Sequence, residues 1–518
     1  MAYKTFAAID VGSYELAMKI FEVSGKTGLK EIDHVMQRVE LGTDTYNQGK
    51  ISMKRVDELC EVLSGFRGIM KAYHVDAYKA YGTSAIRETE NAAVILDMIR
   101  SRTGIEVAQI SNSEQRFLDY KAIASKGELF ERVIGKGTAI VDVGGGSTQI
   151  SLFDKDKLVA TQNLRLGLLR LRERILSMHI RHSGYEPLIK EQVDNQMEVM
   201  RRLFLSERKI DNIILVDDYL SAVMQREDLG FDNPGFLSGK ECRRFLEKIR
   251  TRNRTQIAKY IGISEEKAFL LYISCEMVCR IMELLGSKML WAPGVSLCDG
   301  IGYEYAEQNK MIRFDHDFEK DILACADNIG RRFLSNVPRA ALMEQIALEI
   351  FDHTKKIHGL KNRERLLLQL AARLNDCGKY ISMSNVGECS HSIIMANEII
   401  GLSHMEREIV ANVVKYNRVD FEYDAQMRAG TGLDSEAYLK VAKLTAILKV
   451  SNGLVRSYRE KFNTIKVSLK DRELMILVDT PEDMTLELGL LGPRADFFEE
   501  IFHIRPVVRH KRTGMPQV

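Results

Sequence analysis

Phe6-Ala7-Ala8-Ile9-Asp10-Val11-Gly12-Ser13 carries an apolar strand into an aspartate and then a glycine turn. Ala139-Ile140-Val141-Asp142-Val143-Gly144-Gly145-Gly146-Ser147-Thr148 repeats the pattern 132 positions later, counted from Asp10 to Asp142. After each turn the chain runs on as an alternating strand, Leu16 to Val23 and Ile150 to Phe153, as a hairpin requires. Glycine lets backbone N–H groups approach an anion closely, and successive N–H groups in such a turn form an anion-binding nest. The aspartate beside the turn can hold Mg²⁺ or orient a water. One Asp-x-Gly is ordinary turn chemistry. Here both copies lead through a further strand to a similar exit, Val39-Glu40-Leu41-Gly42 and Leu164-Arg165-Leu166-Gly167, so the unit is duplicated. Two facing copies would clasp a phosphate chain between half-molecules.

The chain has 518 residues, 45% of them apolar, enough for three or four domains each with a core. With 74 basic against 72 acidic residues the net charge is +2, so overall charge favours neither nucleic acid nor membrane and any anion site must be local. The apolar run Phe6 to Ile9 is too short for a signal peptide, and no stretch approaches the ~20 residues of a membrane span. A soluble cytoplasmic protein is the expectation. The eight cysteines contain no Cys-x-x-Cys pair and are scattered, as reduced core thiols are, with Cys275 and Cys279 stacked on one helix face.

Residues 1–125 alternate strand and helix. Helix Ser52 to Tyr73 carries Val56, Leu59, Leu63, Phe66 and Met70 at helical spacing; strand Val75 to Tyr81, helix Asn91 to Arg102 and strand Ile105 to Ile110 follow. Such alternation predicts an α/β layer structure. The polar stretch Lys126 to Gly137 reads as a crossing into a second half, residues 126–310, with strand Asn212 to Val216 and a helix from Glu265 to Leu285. Residues 311–460 are helix after helix, including Ala340 to His353 and Arg363 to Leu374. Residues 461–518 read as a small α+β segment with strands Thr464 to Leu469 and Leu474 to Val478.

With those motifs in place the chain resembles a known family. The duplicated loops look like the actin, sugar-kinase and heat-shock ATPase fold. Within it, Tyr81-Gly82-Thr83-Ser84-Ala85-Ile86-Arg87-Glu88-Thr89-Glu90-Asn91 is similar to the T-S-A-x-R-x-x-x-N stretch of exopolyphosphatases and guanosine pentaphosphate phosphatases. Leu370-Ala371-Ala372-Arg373-Leu374-Asn375-Asp376-Cys377-Gly378 and His391-Ser392 resemble the helical HD-like domain of the family's long members. The resemblance implies a duplicated actin-like α/β fold, then a helical HD-like domain and a small α+β domain. It implies Mg²⁺-dependent release of terminal phosphate from inorganic polyphosphate or guanosine pentaphosphate, by a homodimer acting on no nucleic acid.

Hydrolysis of a terminal phosphoanhydride needs charge neutralisation, an aligned water and usually a base. On the resemblance, Asp10 and Asp142 carry Mg²⁺, with Gln149 a weak further ligand, and Arg87 offers a forked cation. Gly12, Ser13, Thr83, Gly144, Gly145, Gly146, Ser147 and Thr148 bind phosphate. The family's glutamate base, in a motif like I-S-G-x-E-E-A, falls on Gln115 of Ile110-Ser111-Asn112-Ser113-Glu114-Gln115-Arg116. A carboxamide accepts no proton near neutral pH, and Glu114 points about 100° away on a helix. The ending G-G-G-S-T-E becomes Gly144 to Gln149, a later G-G-T becomes Val216-Asp217-Asp218, L-R-E-G becomes Leu297-Cys298-Asp299-Gly300, and Ser13 is followed by Tyr14 instead of asparagine. The HD-like pair is Asn375-Asp376, and asparagine is a poor transition-metal ligand, so structural roles are expected for Asp376, His353 and His391. The basic run Arg243, Arg244, Lys248, Arg250, Arg252 and Arg254 is interleaved with Glu241 and Glu247 and reads as a solvated helix face. The alternative to a hydrolase is a catalytically impaired polyphosphate- or nucleotide-binding regulatory protein. A sugar or acetate kinase would leave the Thr83 to Asn91 stretch without a place.

Overall fold

The computed structural model describes residues 3–155, 157–179, 184–205, 208–423, 432–455, 461–462, 464–470 and 473–511. The chain divides into two compact units, Met1–Asp317 and Phe318–Val518.

The first unit is built on two sheets that repeat one another. In the first, strands β1 (Lys4–Val11), β2 (Glu15–Ser24), β3 (Gly28–Arg38), β4 (Ala77–Gly82) and β5 (Val107–Gln109) lie in the order β3-β2-β1-β4-β5. In the second, β6 (Thr138–Val143), β7 (Thr148–Asp154), β8 (Lys157–Leu164), β9 (Asn212–Val216), β10 (Phe236–Ser238) and β11 (Met289–Trp291) lie in the order β10-β11-β9-β6-β7-β8. Each sheet is an antiparallel three-strand meander whose first strand pairs in parallel with the next strand along. Parallel pairing needs a crossover, and helices Met53–Ala72 and Ala92–Thr103 supply it in the first half. The registers match residue for residue. Asp10 stands opposite Ala17 and Tyr81, and Asp142 opposite Gln149 and Val216. By that register Gly82-Thr83 and Asp217-Asp218 occupy equivalent strand ends.

β6 is buried along its whole length and β1 from Thr5 to Ile9, so these central strands read as continuous apolar runs. Helix Met53–Ala72 starts where Ser52 accepts the Arg55 N–H, and buries the apolar stripe seen in the sequence. Helix Ala92–Thr103 ends on Gly104 with φ 68°, a conformation glycine adopts without strain. Residues 126–137 are not the plain polar crossing that the sequence suggests. Phe130 and Ile134, four apart on one face, are fully buried and seat a short helix, Glu128–Ile134. All eight cysteines are free thiols, and Cys279 meets Cys242 across two helices with its sulfur 2.6 Å away. In the basic run Arg250 pairs with Glu276 and Arg254 lies over Phe269, while Arg243, Arg244 and Lys248 are exposed.

The second unit is helical over Phe318–Arg332, Val337–His353, Asn362–Leu374, Val386–Ala396, His404–Tyr416 and Ser435–Leu454. It closes with a sheet of β12 (Thr464–Lys470), β13 (Glu473–Asp479) and β14 (Arg505–Lys511), the last parallel to β13. Among the described residues no helix is long and apolar enough to cross a membrane.

Candidate functional site

The two glycine turns meet at the ends of β1 and β6. A Cβ on Gly12 would lie 2.5 Å from the Glu15 carbonyl oxygen, so the turn is too tight for any side chain there. A Cβ on Gly145 would come within 3.0 Å of the Ser13 Cβ, which shows how closely the loops approach. Ser13 accepts the Gly42 amide on its carbonyl at 2.7 Å, and the Gly144 and Gly145 carbonyls accept the amides of Leu168 and Leu169. Each loop is thereby fixed by the exit segment of its own repeat. Ser13 Oγ, Ser84 Oγ and Tyr46 OH form a triangle of hydroxyls 2.9 Å apart. Tyr14, where the family has asparagine, is buried in the core of the second half and locks the first loop onto it.

The third wall is helix Asn112–Ala124. Ser111 accepts the Glu114 amide, and the Glu114 carboxylate accepts the Ser111 N–H at 3.1 Å and its hydroxyl at 2.7 Å. This capping box consumes Glu114 at the helix start. Gln115 and Asp119, one turn apart, both face the cleft. Arg116 is buried beneath it, and its Nε donates to Gln149 Oε1 at 2.9 Å.

These elements enclose a cavity of about 150 Å³ lined by Asp10, Ser13, Thr83, Ser84, Gln115, Asp119, Asp142, Gly144, Gly145, Ser147, Gln149, Asp217, Asp218 and Cys298. No lysine or arginine lines it among the described residues. Burial in the cleft, then the charges of Asp218 and Asp142, push the Asp10 carboxyl up to about 8. Burial also raises Asp142, although Arg116 pulls it back. Asp119 stands well above the ordinary range, from burial and then the charges of Asp142, Asp10 and Asp218. Asp217 is pinned by the amides of Tyr219 and Ser221 and by the Ser274 hydroxyl, at 2.8 to 3.2 Å.

Such a crowd of carboxylates is stable in ionised form only around a cation. Asp10 Oδ1 is enclosed and has no hydrogen-bond partner, an oxygen left open to a ligand. Among the described residues no three carboxylate, imidazole or thiol groups close into a ready coordination shell. Mg²⁺ does not require one, since it binds through one or two carboxylates and completes its shell with water and phosphate oxygens. The donor set therefore fits a hard divalent cation.

Of the residues expected from sequence, Asp10, Gly12, Ser13, Thr83, Gln115, Asp142, Gly144, Gly145, Ser147 and Gln149 come together on this one cavity. Arg87, Gly146 and Thr148 are not on its wall. Arg87 Nη1 donates to the Ile110 carbonyl at 2.7 Å, just ahead of the capped helix. Arg170 Nε holds the Gly146 carbonyl at 2.9 Å, and the Thr148 hydroxyl donates to the Leu166 carbonyl. Sequence reasoning passed over Ser84, Tyr46, Asp119 and Arg116 as site residues. The four-residue step from Gln115 to Asp119 was the available signal for one of them. In the second unit the Asp376 carboxylate receives Arg339 at 2.9 Å, Lys379 at 3.1 Å and Arg418, while Asn375 accepts from Asn417. His353 lies exposed, its Nδ1 2.9 Å from the Glu349 carbonyl oxygen of its own helix.

A fold of two repeated α/β sheets with paired glycine loops on a carboxylate-lined cleft defines a class of phosphate-handling proteins. The model of the Ppx/GppA phosphatase family matches residues 20–309, and that of Ppx/GppA phosphatase, domain III, matches residues 323–490. The chain belongs to the Ppx/GppA phosphatase family. It is 20% identical over 457 residues, 86% of each chain, to the guanosine-5'-triphosphate,3'-diphosphate pyrophosphatase of Photobacterium profundum. It is 18% identical over 491 residues to a protein of the same name from Aliivibrio fischeri, covering 92% of this chain and 91% of that one. Among solved structures, an exopolyphosphatase from Cytophaga hutchinsonii superposes with a TM-score of 0.52 at 18% identity, over 59% of this chain and 98% of its own. An Aquifex aeolicus member of the family gives 0.50 at 18% identity, over 61% of this chain and 100% of its own. At that identity the likeness is one of fold, the duplicated actin-like α/β fold.

Proposed function

We propose that the chain releases terminal orthophosphate from inorganic polyphosphate or guanosine pentaphosphate in the cleft between its two repeats, with Mg²⁺ as the cation. The observation that carries this reading is the convergence of Asp10, Asp142 and both glycine loops on one acidic cavity, with Asp10 Oδ1 left open. Asp10 and Asp142 would hold the cation, which supplies charge neutralisation for the phosphoryl group. The amides at Gly12, Ser13, Gly145 and Ser147 bind phosphate oxygens, and Thr83 adds a hydroxyl donor. Arg87 anchors Ile110 and so fixes the start of the helix that presents Gln115. Tyr14 and the hydroxyl triangle hold the first loop rigid, which keeps the terminal phosphate in one orientation.

Gln115 at the base position and Gln149 engaged by Arg116 favour a second reading, a binding protein that closes on polyphosphate without turning it over. Phosphate release from each substrate with and without Mg²⁺, by the full chain, separates the two. Mg²⁺-dependent release supports the hydrolase, and tight binding without release supports the other.

A further inference from the structure

We infer that Asp119 supplies the carboxylate that position 115 lacks, accepting a hydrogen bond from the attacking water and aligning it on the terminal phosphorus. This rests on the hydrolase reading above. The helix Asn112–Ala124 is pinned at one end by its Ser111 and Glu114 capping box, so the direction of every side chain after it is set. Positions 115 and 119 are one turn apart on one face. Helical side chains lean back toward the N-terminus, so the Asp119 carboxyl covers the turn from which a side chain at 115 would reach. Both residues line the cleft, yet Asp119 is only 4% exposed. It shares the cleft wall with Asp142, on the strand that ends in the second glycine loop.

A structural role alone is a poor account of Asp119. On a helix face shared with Ala122 and Ile123, an apolar side chain would bury at lower cost than a carboxylate set against Asp142 and Asp10. Phosphoryl transfer passes through a loose transition state, in which orienting the water matters more than stripping its proton early. The water oxygen forms a bond to the terminal phosphorus as the bridging P–O bond breaks, and that electron pair leaves on the oxygen of the shortened chain. Both hydrogens of the water depart on the released dihydrogen phosphate, so Asp119 directs the attack and keeps no proton. The Gln115 carboxamide, beside it, is free to contact the same water or the phosphate.

The test uses the full chain with Mg²⁺ and polyphosphate, comparing wild type, Asp119→Asn, Gln115→Glu and the double variant. Asp119→Asn is isosteric and keeps an acceptor oxygen but loses the negative charge that steadies the water as its oxygen turns positive, so it should lower kcat roughly 10²-fold or more while KM and polyphosphate binding by calorimetry stay near wild type. Adding Gln115→Glu to it should restore kcat to within about tenfold of wild type, because the carboxylate returns from one turn away. A residue that merely held Asp142 in place would not be rescued from position 115. Wild-type kcat in Asp119→Asn, or no rescue in the double variant, overturns the assignment while leaving the hydrolase reading standing. A wild type that binds polyphosphate but releases no phosphate from either substrate overturns both.

Discussion

Gln149 shows how one residue's neighbours decide what its substitution means. As an amide it accepts from Arg116, whose buried guanidinium also lies close enough to hold down the Asp142 carboxyl. Restoring the family's glutamate at 149 alone would hand Arg116 a carboxylate partner, and a buried charge-assisted pair competes with any metal for that oxygen. Gln149→Glu should therefore leave Mg²⁺ affinity close to wild type. Arg116→Ala combined with Gln149→Glu should tighten it by about tenfold, ~1.4 kcal/mol. Isothermal titration with Mg²⁺ and a non-hydrolysable polyphosphate analogue reads both, and equal tightening in the single and double variants contradicts the argument. None of this was legible in the sequence. Gln115 and Gln149 were visible as departures, but Arg116 stood in the text as one more arginine, because its partner lies 33 residues away.

At the scale of elements, helix starts and stops were legible wherever a cap is local. Ser52 bounds its helix in the sequence as in the structure, and helix Glu265–Leu285 runs between the residues that the pattern names. The short helix Glu128–Ile134 was missed because two buried residues are too few to establish a period. The capping box at Ser111 does more than begin a helix, since it aims the face that carries Gln115 and Asp119. Ser111→Ala should cost about 1 kcal/mol in unfolding by denaturant, with a measurable fall in kcat. A loss of stability with unchanged turnover would mean that the helix start does not set the cleft.

The helices of the second unit make the opposite point. Asn375-Asp376 looked like an eroded metal pair, and what occupies the aspartate became clear only when Arg339, 37 residues before it, and Arg418, 42 after it, met it in space. Burial alone would raise the Asp376 carboxyl, but Arg339, Arg418 and Lys379 bring it below its ordinary value of 3.8. A lowered carboxyl stabilises the fold above its unfolded value, so this contribution is full at neutral pH and is lost as pH falls below about 4. Asp376→Ala strands a buried guanidinium and should cost ~3–5 kcal/mol, read as a lower denaturation midpoint at pH 7. The deficit should shrink in acid. The same purified chain should carry no stoichiometric iron, manganese or zinc by elemental analysis. One tightly held metal per chain, lost in that variant, would reverse this account of the helices.

For the whole molecule, the duplication is the fact from which the rest follows. It was legible because a strand, an aspartate and a glycine turn repeat in order, and the register of the two sheets bears it out down to the equivalence of Asp10 with Asp142. The halves have diverged where their second parallel strands end. One closes on Gly82 and Thr83, the other on Asp217 and Asp218, so a pseudo-symmetric frame encloses a chemically lopsided cleft. An acidic cleft on which no lysine or arginine lies among the described residues repels polyphosphate unless a divalent cation stands between them. The most direct test is orthophosphate release from long-chain polyphosphate and from guanosine pentaphosphate, titrated with Mg²⁺, by the wild type and Asp142→Ala. Release should rise from zero with Mg²⁺ in the wild type and fall roughly 10²-fold or more in Asp142→Ala, whose thermal unfolding stays cooperative. Release that proceeds equally well in chelator, or that survives Asp142→Ala undiminished, would contradict it.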